Sequence, residues 1–174
     1  MTKFVFNSAS YLEFYPLSSC LKQLINNNYY PVFVCFGSDL SIGDSLGPKT
    51  GQILLNNLEG KCFVYGTLNS TITAKEANTV CYLIKKLHPK STIIAIDAAV
   101  GSKSDIGQIK VFNDGLKPGL GVNKDLNKIG DVSIIAIIGE KEEFNKNVFT
   151  KVSASFIENL SKQISNSIIK AITE

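Results

Sequence analysis

Asp44 and Asp97 each follow an apolar run that reads as a buried β-strand, and each has glycine close by. Asp44 lies in Gly37-Ser38-Asp39-Leu40-Ser41-Ile42-Gly43-Asp44-Ser45-Leu46-Gly47-Pro48, just after Val32-Phe33-Val34-Cys35-Phe36. Asp97 ends Thr92-Ile93-Ile94-Ala95-Ile96-Asp97 and precedes Ala98-Ala99-Val100-Gly101. In an open parallel sheet, ligands and chemistry collect beyond the carboxyl ends of the strands. Both carboxylates are expected at that edge, where one can act as a base beside the other.

Each residue also has a purely structural reading. Asp and Ser are favoured helix N-caps, and Asp44-Ser45 precedes a helical pattern. Asp97 can bond the turn after its strand. Glu76 closes Thr73-Ala74-Lys75-Glu76, a capping box in which the carboxylate reaches back to the N-cap amide; it is also a candidate third carboxylate at the same edge. Gly37, Gly43 and Gly47 suit a ligand-facing loop that needs close approach or positive φ. They match neither a dinucleotide fingerprint nor a phosphate loop. Pro118-Gly119-Leu120-Gly121-Val122-Asn123 reads as a plain turn or as a loop lining a cleft. His88, the single histidine, ends a helix before a strand and is expected near the opposite edge. That placement disfavours a Ser-His-Asp or Cys-His mechanism and a histidine-ligated metal beside the aspartates.

The elements that must position these residues follow from periodicity. Apolar spacing predicts helices over 16–26, 45–58, 73–87 and 149–172. Short runs of Val, Ile and Phe predict strands over 32–36, 62–65, 91–96, 109–112 and 132–138. Strands of continuous apolar character alternating with helices imply a mostly parallel sheet covered on both faces. The expectation is one α/β domain spanning residues 1–174.

Composition narrows the function. The chain has 174 residues, 44% hydrophobic and 19% charged, enough to bury roughly 70% of its unfolded surface. All 18 basic side chains are Lys, so bidentate guanidinium recognition is not available. A net charge of +3 without a clustered basic face argues against nucleic acid. Cys20, Cys35, Cys62 and Cys81 show no Cys-x-x-Cys, which disfavours a zinc or disulfide framework. No signal-peptide pattern opens the chain, and no apolar run approaches the ~20 residues that span a bilayer. The expected location is cytoplasmic, away from membranes.

Three motifs, in order and at similar spacing, resemble the germination protease of bacterial spores. They are Gly37-Ser38 with Asp44-Ser45-Leu46-Gly47-Pro48, then Ile96-Asp97-Ala98-Ala99, then Lys117-Pro118-Gly119-Leu120-Gly121-Val122-Asn123 followed by Ile129-Gly130-Asp131-Val132. Over residues 31–140 the wording and compact length look most like the YyaC-type sporulation proteins, a small relative. More distantly the chain resembles hydrogenase-maturation endopeptidases, which implies a three-layer, phosphorylase/hydrolase-like α/β fold.

The resemblance implies an aspartate-dependent endopeptidase with Asp44 and Asp97 as the catalytic pair and Glu76 at a matching acidic position. Gly37, Ser38, Gly43, Ser45, Gly119, Gly121 and Asn123 would hold the substrate backbone. The implied substrate is a protein or peptide, such as a small acid-soluble spore protein, and the implied location is the forespore or spore core. No cofactor is expected. In the hydrogenase proteases the acid matching Asp44 binds nickel with another acid and a histidine; this chain has no histidine at the matching place and has Ser38 where those relatives carry Asn. A divalent ion on Asp44, Glu76 and Asp97 is a lesser alternative, since carboxylates suit hard cations. The rival class is a non-catalytic spore protein that binds a peptide or protein partner in the same cleft. Assembly of several copies is left open.

Overall fold

Runs such as Val32-Phe33-Val34-Cys35 carry apolar side chains on both faces, so they are stable only between two layers. The computed structural model describes residues 3–8, 14–25, 28–118, 128–141 and 148–174. Its strands are β1 (Lys3–Asn7), β2 (Val32–Cys35), β3 (Phe63–Tyr65), β4 (Ile93–Gly101), β5 (Gln108–Phe112) and β6 (Val132–Glu140). They form one six-stranded sheet in the order β1-β5-β6-β4-β2-β3. The β6-β4-β2-β3 block is parallel, whereas β5 and β1 add antiparallel strands at one side.

The helices are α1 (Phe14–Leu24), α2 (Leu46–Asn57), α3 (Ala77–Leu87), α4 (Val148–Lys151) and α5 (Ala154–Thr173). On one face, Leu17 and Leu21 of α1, Leu54 of α2 and Ile157, Leu160 and Ile164 of α5 pack on Phe33, Ile94, Ile96 and Ile134. On the other, Ala77, Cys81 and Ile84 of α3 cover Val32, Val34, Ile93 and Ala95. The expected three-layer α/β arrangement with a mostly parallel sheet is therefore what the chain adopts. No helix among the described residues is long and apolar enough to cross a membrane.

Several boundaries differ from the periodicity. The helix expected over 149–172 is two helices, because Ser153 is extended (φ −73°, ψ 143°) and its hydroxyl caps the Phe156 amide of α5. The strand expected to stop at Ile96 runs to Gly101, since β6 pairs alongside it as far as Glu140. The helix expected from Thr73 begins at Ala77.

Helix α2 lies hard against β2. A Cβ on Gly47 would sit 2.0 Å from the Phe36 carbonyl oxygen, so only glycine allows this approach. Across the helix, the buried Ser161 and Ser165 hydroxyls of α5 reach the Leu46 and Thr50 carbonyls at 3.3 and 3.5 Å. Gly47→Ala is expected to lower stability by about 2 kcal/mol or more, because backbone must shift to admit the methyl. Urea unfolding measures this as a lower midpoint at unchanged slope.

Candidate active site

The link from β2 to α2 folds back on itself. Gly37 takes φ +133°, and a Cβ there would lie 2.0 Å from the Asp44 carbonyl oxygen. The Ser38 amide donates to that carbonyl at 3.2 Å, and the Ser38 hydroxyl donates to the Asp44 carboxylate at 2.7 Å. Ser38 is buried and Asp44 half-buried. Asp44 sits in a 3-10 turn (Gly43–Ser45) that leads directly into α2, and no side chain caps either helix start. The capping reading of Asp44 is thus not what the structure uses: its carboxylate is aimed by Ser38.

Two other loop residues serve packing. Gly43 is buried, with Ile138 and Phe149 where a Cβ would stand. Ser45 is buried, and its hydroxyl donates to the Ile42 carbonyl at 2.7 Å. Leu40, by contrast, is 90% exposed at the loop's tip. Gly119, Gly121 and Asn123 lie outside the described residues.

Asp97 is in the middle of β4 rather than at its end. Register still places it at the expected edge of the β2–β4 pair: Cys35 pairs with Ile96, β2 stops there, and the Phe36 amide makes a last bond to Ile96. Asp97 is therefore the first β4 residue past β2, level with Phe36. Side-chain alternation puts it on the α3 side with Ile93 and Ala95. It is half-buried, and one carboxylate oxygen accepts the Ala98 amide at 2.8 Å. The fold brings Asp97 and the Ser38–Asp44 pair to the same sheet edge from adjacent strands.

Lys110 escaped the sequence reading. Through the pairings Asp97↔Ile135 and Lys110↔Ile135 it shares Asp97's row across the sheet. Its side chain is 11% exposed and bonds Asp105 at 2.9 Å, which holds the Asp105 carboxyl below the usual carboxylate range. Alternation in Gln108-Ile109-Lys110-Val111 signals its face, but nothing local shows that β5 joins β6.

Other nucleophiles and bases are poorly placed. His88 rests on Phe63, the first residue of β3 (ring centroids 4.2 Å apart), and bonds the Tyr65 hydroxyl at 2.8 Å; burial lowers its pKa. Burial pushes the Cys20, Cys62 and Cys81 thiols up to about 11 and Cys35 further, so thiolates are scarce at neutral pH. Among the described residues no three His, Cys, Asp or Glu side chains group to hold a metal ion, so Asp44, Glu76 and Asp97 do not form a three-carboxylate cage.

Glu76 is exposed, and its carboxylate accepts the Thr73 hydroxyl and, at 3.0 Å, the Thr73 amide. This is the reach-back of the expected capping box, moved to the turn ahead of α3. The Thr73 hydroxyl, followed by backbone amides and Lys75, holds the Glu76 carboxyl below its ordinary 4.5. A depressed folded-state pKa adds stability above the unfolded pKa, and it is lost as pH falls through the folded value. Glu76→Gln should therefore lower Tm slightly at neutral pH. The gap from wild type should close as pH drops below 4.5; melting both proteins across pH checks this.

With this geometry in view, known proteins are informative. The family described as "Protein of unknown function (DUF1256)" matches residues 5–167. The "Uncharacterized protein YyaC" of Bacillus subtilis (strain 168) is 38% identical over 122 residues, 70% of this chain. The match spans 58% of that relative's length. Among solved structures, the [NiFe] hydrogenase maturation protease HycI from Thermococcus kodakarensis KOD1 covers 86% of this chain and 98% of its own at 11% identity, with a TM-score of 0.49. The match over most of the sequence, including both aspartate segments, decides the identity: the chain belongs to the DUF1256 family.

Proposed function

We propose that the chain is an aspartate-dependent peptidase in which Asp44 and Asp97 are the reacting carboxylates. The observation that carries this reading is the β2–β4 register, which sets Asp97 level with Phe36, just ahead of the loop that Ser38 ties to Asp44. The resemblance of the three motifs to the spore germination protease would assign the same two residues. This reading requires the two carboxylates to approach closely enough to hold one proton between them. The ionised member takes a proton from the attacking water as its oxygen bonds the peptide carbonyl carbon. The protonated member gives its proton to the departing amide nitrogen. Ser38 acts in this reading as a positioning residue, since its hydroxyl donates to the Asp44 carboxylate. Glu76, engaged with Thr73, is left out of the pair.

The proposed substrate is a spore protein of the small acid-soluble type, cleaved in the forespore or spore core, both by resemblance to the germination protease. Cleavage of such a substrate by the purified protein, with its Asp44→Asn and Asp97→Asn variants alongside, tests the assignment. Each variant should lose about 100-fold or more in kcat, and wild-type rates should follow a bell-shaped pH profile. Unchanged cleavage in both variants would sink the pair. Saturable binding without turnover would instead establish the cleft as a peptide-binding site. Ser38→Ala should lower kcat more than it changes KM, with a stability loss of about 1 kcal/mol for the missing hydrogen bond.

A further inference from the structure

Strand β4 outruns its neighbour β2. Their pairing ends at Cys35↔Ile96, with one more bond from the Phe36 amide to the Ile96 carbonyl at 2.8 Å. Pairing of β4 with β6 continues from Asp97↔Ile135 to Gly101↔Glu140. From Asp97 to Gly101, β4 therefore has a neighbour on one side. Among the described residues no strand lies on the other.

The backbone groups on that open side can be named. In a parallel ladder the amide and carbonyl of one residue face the same neighbour, and successive residues alternate. The Thr92 and Ile96 carbonyls accept from the Val32 and Phe36 amides, so they face the line of β2. Ala98 and Val100 share that phase, whereas Ala99 and Gly101 face β6. The Ala98 amide is taken by the Asp97 carboxylate at 2.8 Å. The Ala98 carbonyl and both backbone groups of Val100 remain to be bonded. Natural edges are usually guarded by lysine or proline. Ala98-Ala99-Val100-Gly101 has neither, and its last three residues are half-buried rather than covered.

The open side is made by the chain leaving β2. Gly37, at φ +133°, gives its amide to the Ile72 carbonyl at 2.9 Å, and Ser38 closes the following loop on Asp44. Past Phe36 the line of β2 is thus left as a recess that starts beside Asp97. Phe36 bounds its lower end, and the loop tip at Leu40, 90% exposed, stands out from that edge. The sheet of a second copy would meet this loop before reaching β4. A single extended chain, with no sheet of its own, meets no such obstacle.

We propose that an unfolded polypeptide segment binds as an added strand along β4 from Ala98 to Val100, continuing the line of β2. The Ala98 carbonyl accepts a peptide amide, and the Val100 amide donates to a peptide carbonyl. An added strand lies about 4.8 Å from β4, which brings a peptide bond alongside Asp97. Naming this segment as the substrate rests on the peptidase reading; the binding itself does not. The substrate class is then a disordered stretch of protein, not a folded surface. Main-chain bonds carry such binding, so it tolerates many sequences.

Hydrogen exchange on the full chain, with a sequence-randomised decapeptide mixture as probe, is the test. Without peptide, the Val100 amide should exchange fast while Ala99 and Gly101, bonded to β6, are protected. Saturating peptide should slow Val100 and leave its two neighbours unchanged, in the wild type and in Asp44→Asn alike. Val100→Pro removes the donor without touching the bonds to β6. It should raise the peptide dissociation constant roughly tenfold, the loss of one hydrogen bond, and Val100→Ala, which keeps the amide, should not. Protection at Val100 in a protein that cleaves nothing supports the added strand and removes only the peptidase reading. Peptide binding or cleavage with Val100 exchange unchanged overturns the added strand alone. Val100 already protected in the free protein, or no binding of the mixture at all, also overturns it.

Discussion

The parallel pairing of β2 with β4 is the constraint on which the rest of the molecule depends. Four residues of β2, all buried, are matched one to one from Val32↔Ile93 to Cys35↔Ile96. A slip of one residue would turn every side chain to the wrong face, exchanging Phe33 and Cys35 with Val32 and Val34 between the two cores. The same register sets Asp97 level with the chain leaving β2. Core packing and the position of Asp97 are therefore fixed by one set of hydrogen bonds.

The chain leaving β2 has little freedom. Gly37 and Gly47 both stand where backbone from another segment occupies the place of a Cβ, so the link must turn tightly before α2 begins. The Ser38 hydroxyl, buried beneath that turn, uses Asp44 as its acceptor. A half-buried carboxylate held by a buried donor is preorganised, unlike one on a free surface loop. What the glycines do is thus local: they bring the loop's own ends together, and the exposed Leu40 tip is what faces outward.

Much of the architecture was legible in the residues themselves. Continuous Val and Ile runs separated by amphipathic stretches imply a covered parallel sheet, and that sheet is present. Where boundaries missed, a tertiary partner was responsible. β4 passes Asp97 because β6 pairs beside it, and no pattern within Asp97-Ala98-Ala99-Val100 announces that neighbour. Thr73 and Glu76 do interact as a capping box, but α3 winds only from Ala77. Ser153 interrupts the last apolar stripe without disturbing its period, so a single long helix was the natural reading.

By itself, the sequence determined the kinds of groups present and the strands that carry them: two aspartates near glycine after apolar runs, one distant histidine and no arginine. Those properties are local, because periodicity and turn chemistry act over a few residues. Tertiary structure alone decided which groups meet. It gave Asp44 to Ser38 and Glu76 to Thr73, and set Lys110 in the row of Asp97. Each depends on strand order and register, and these are set by how distant segments bury one another's apolar faces.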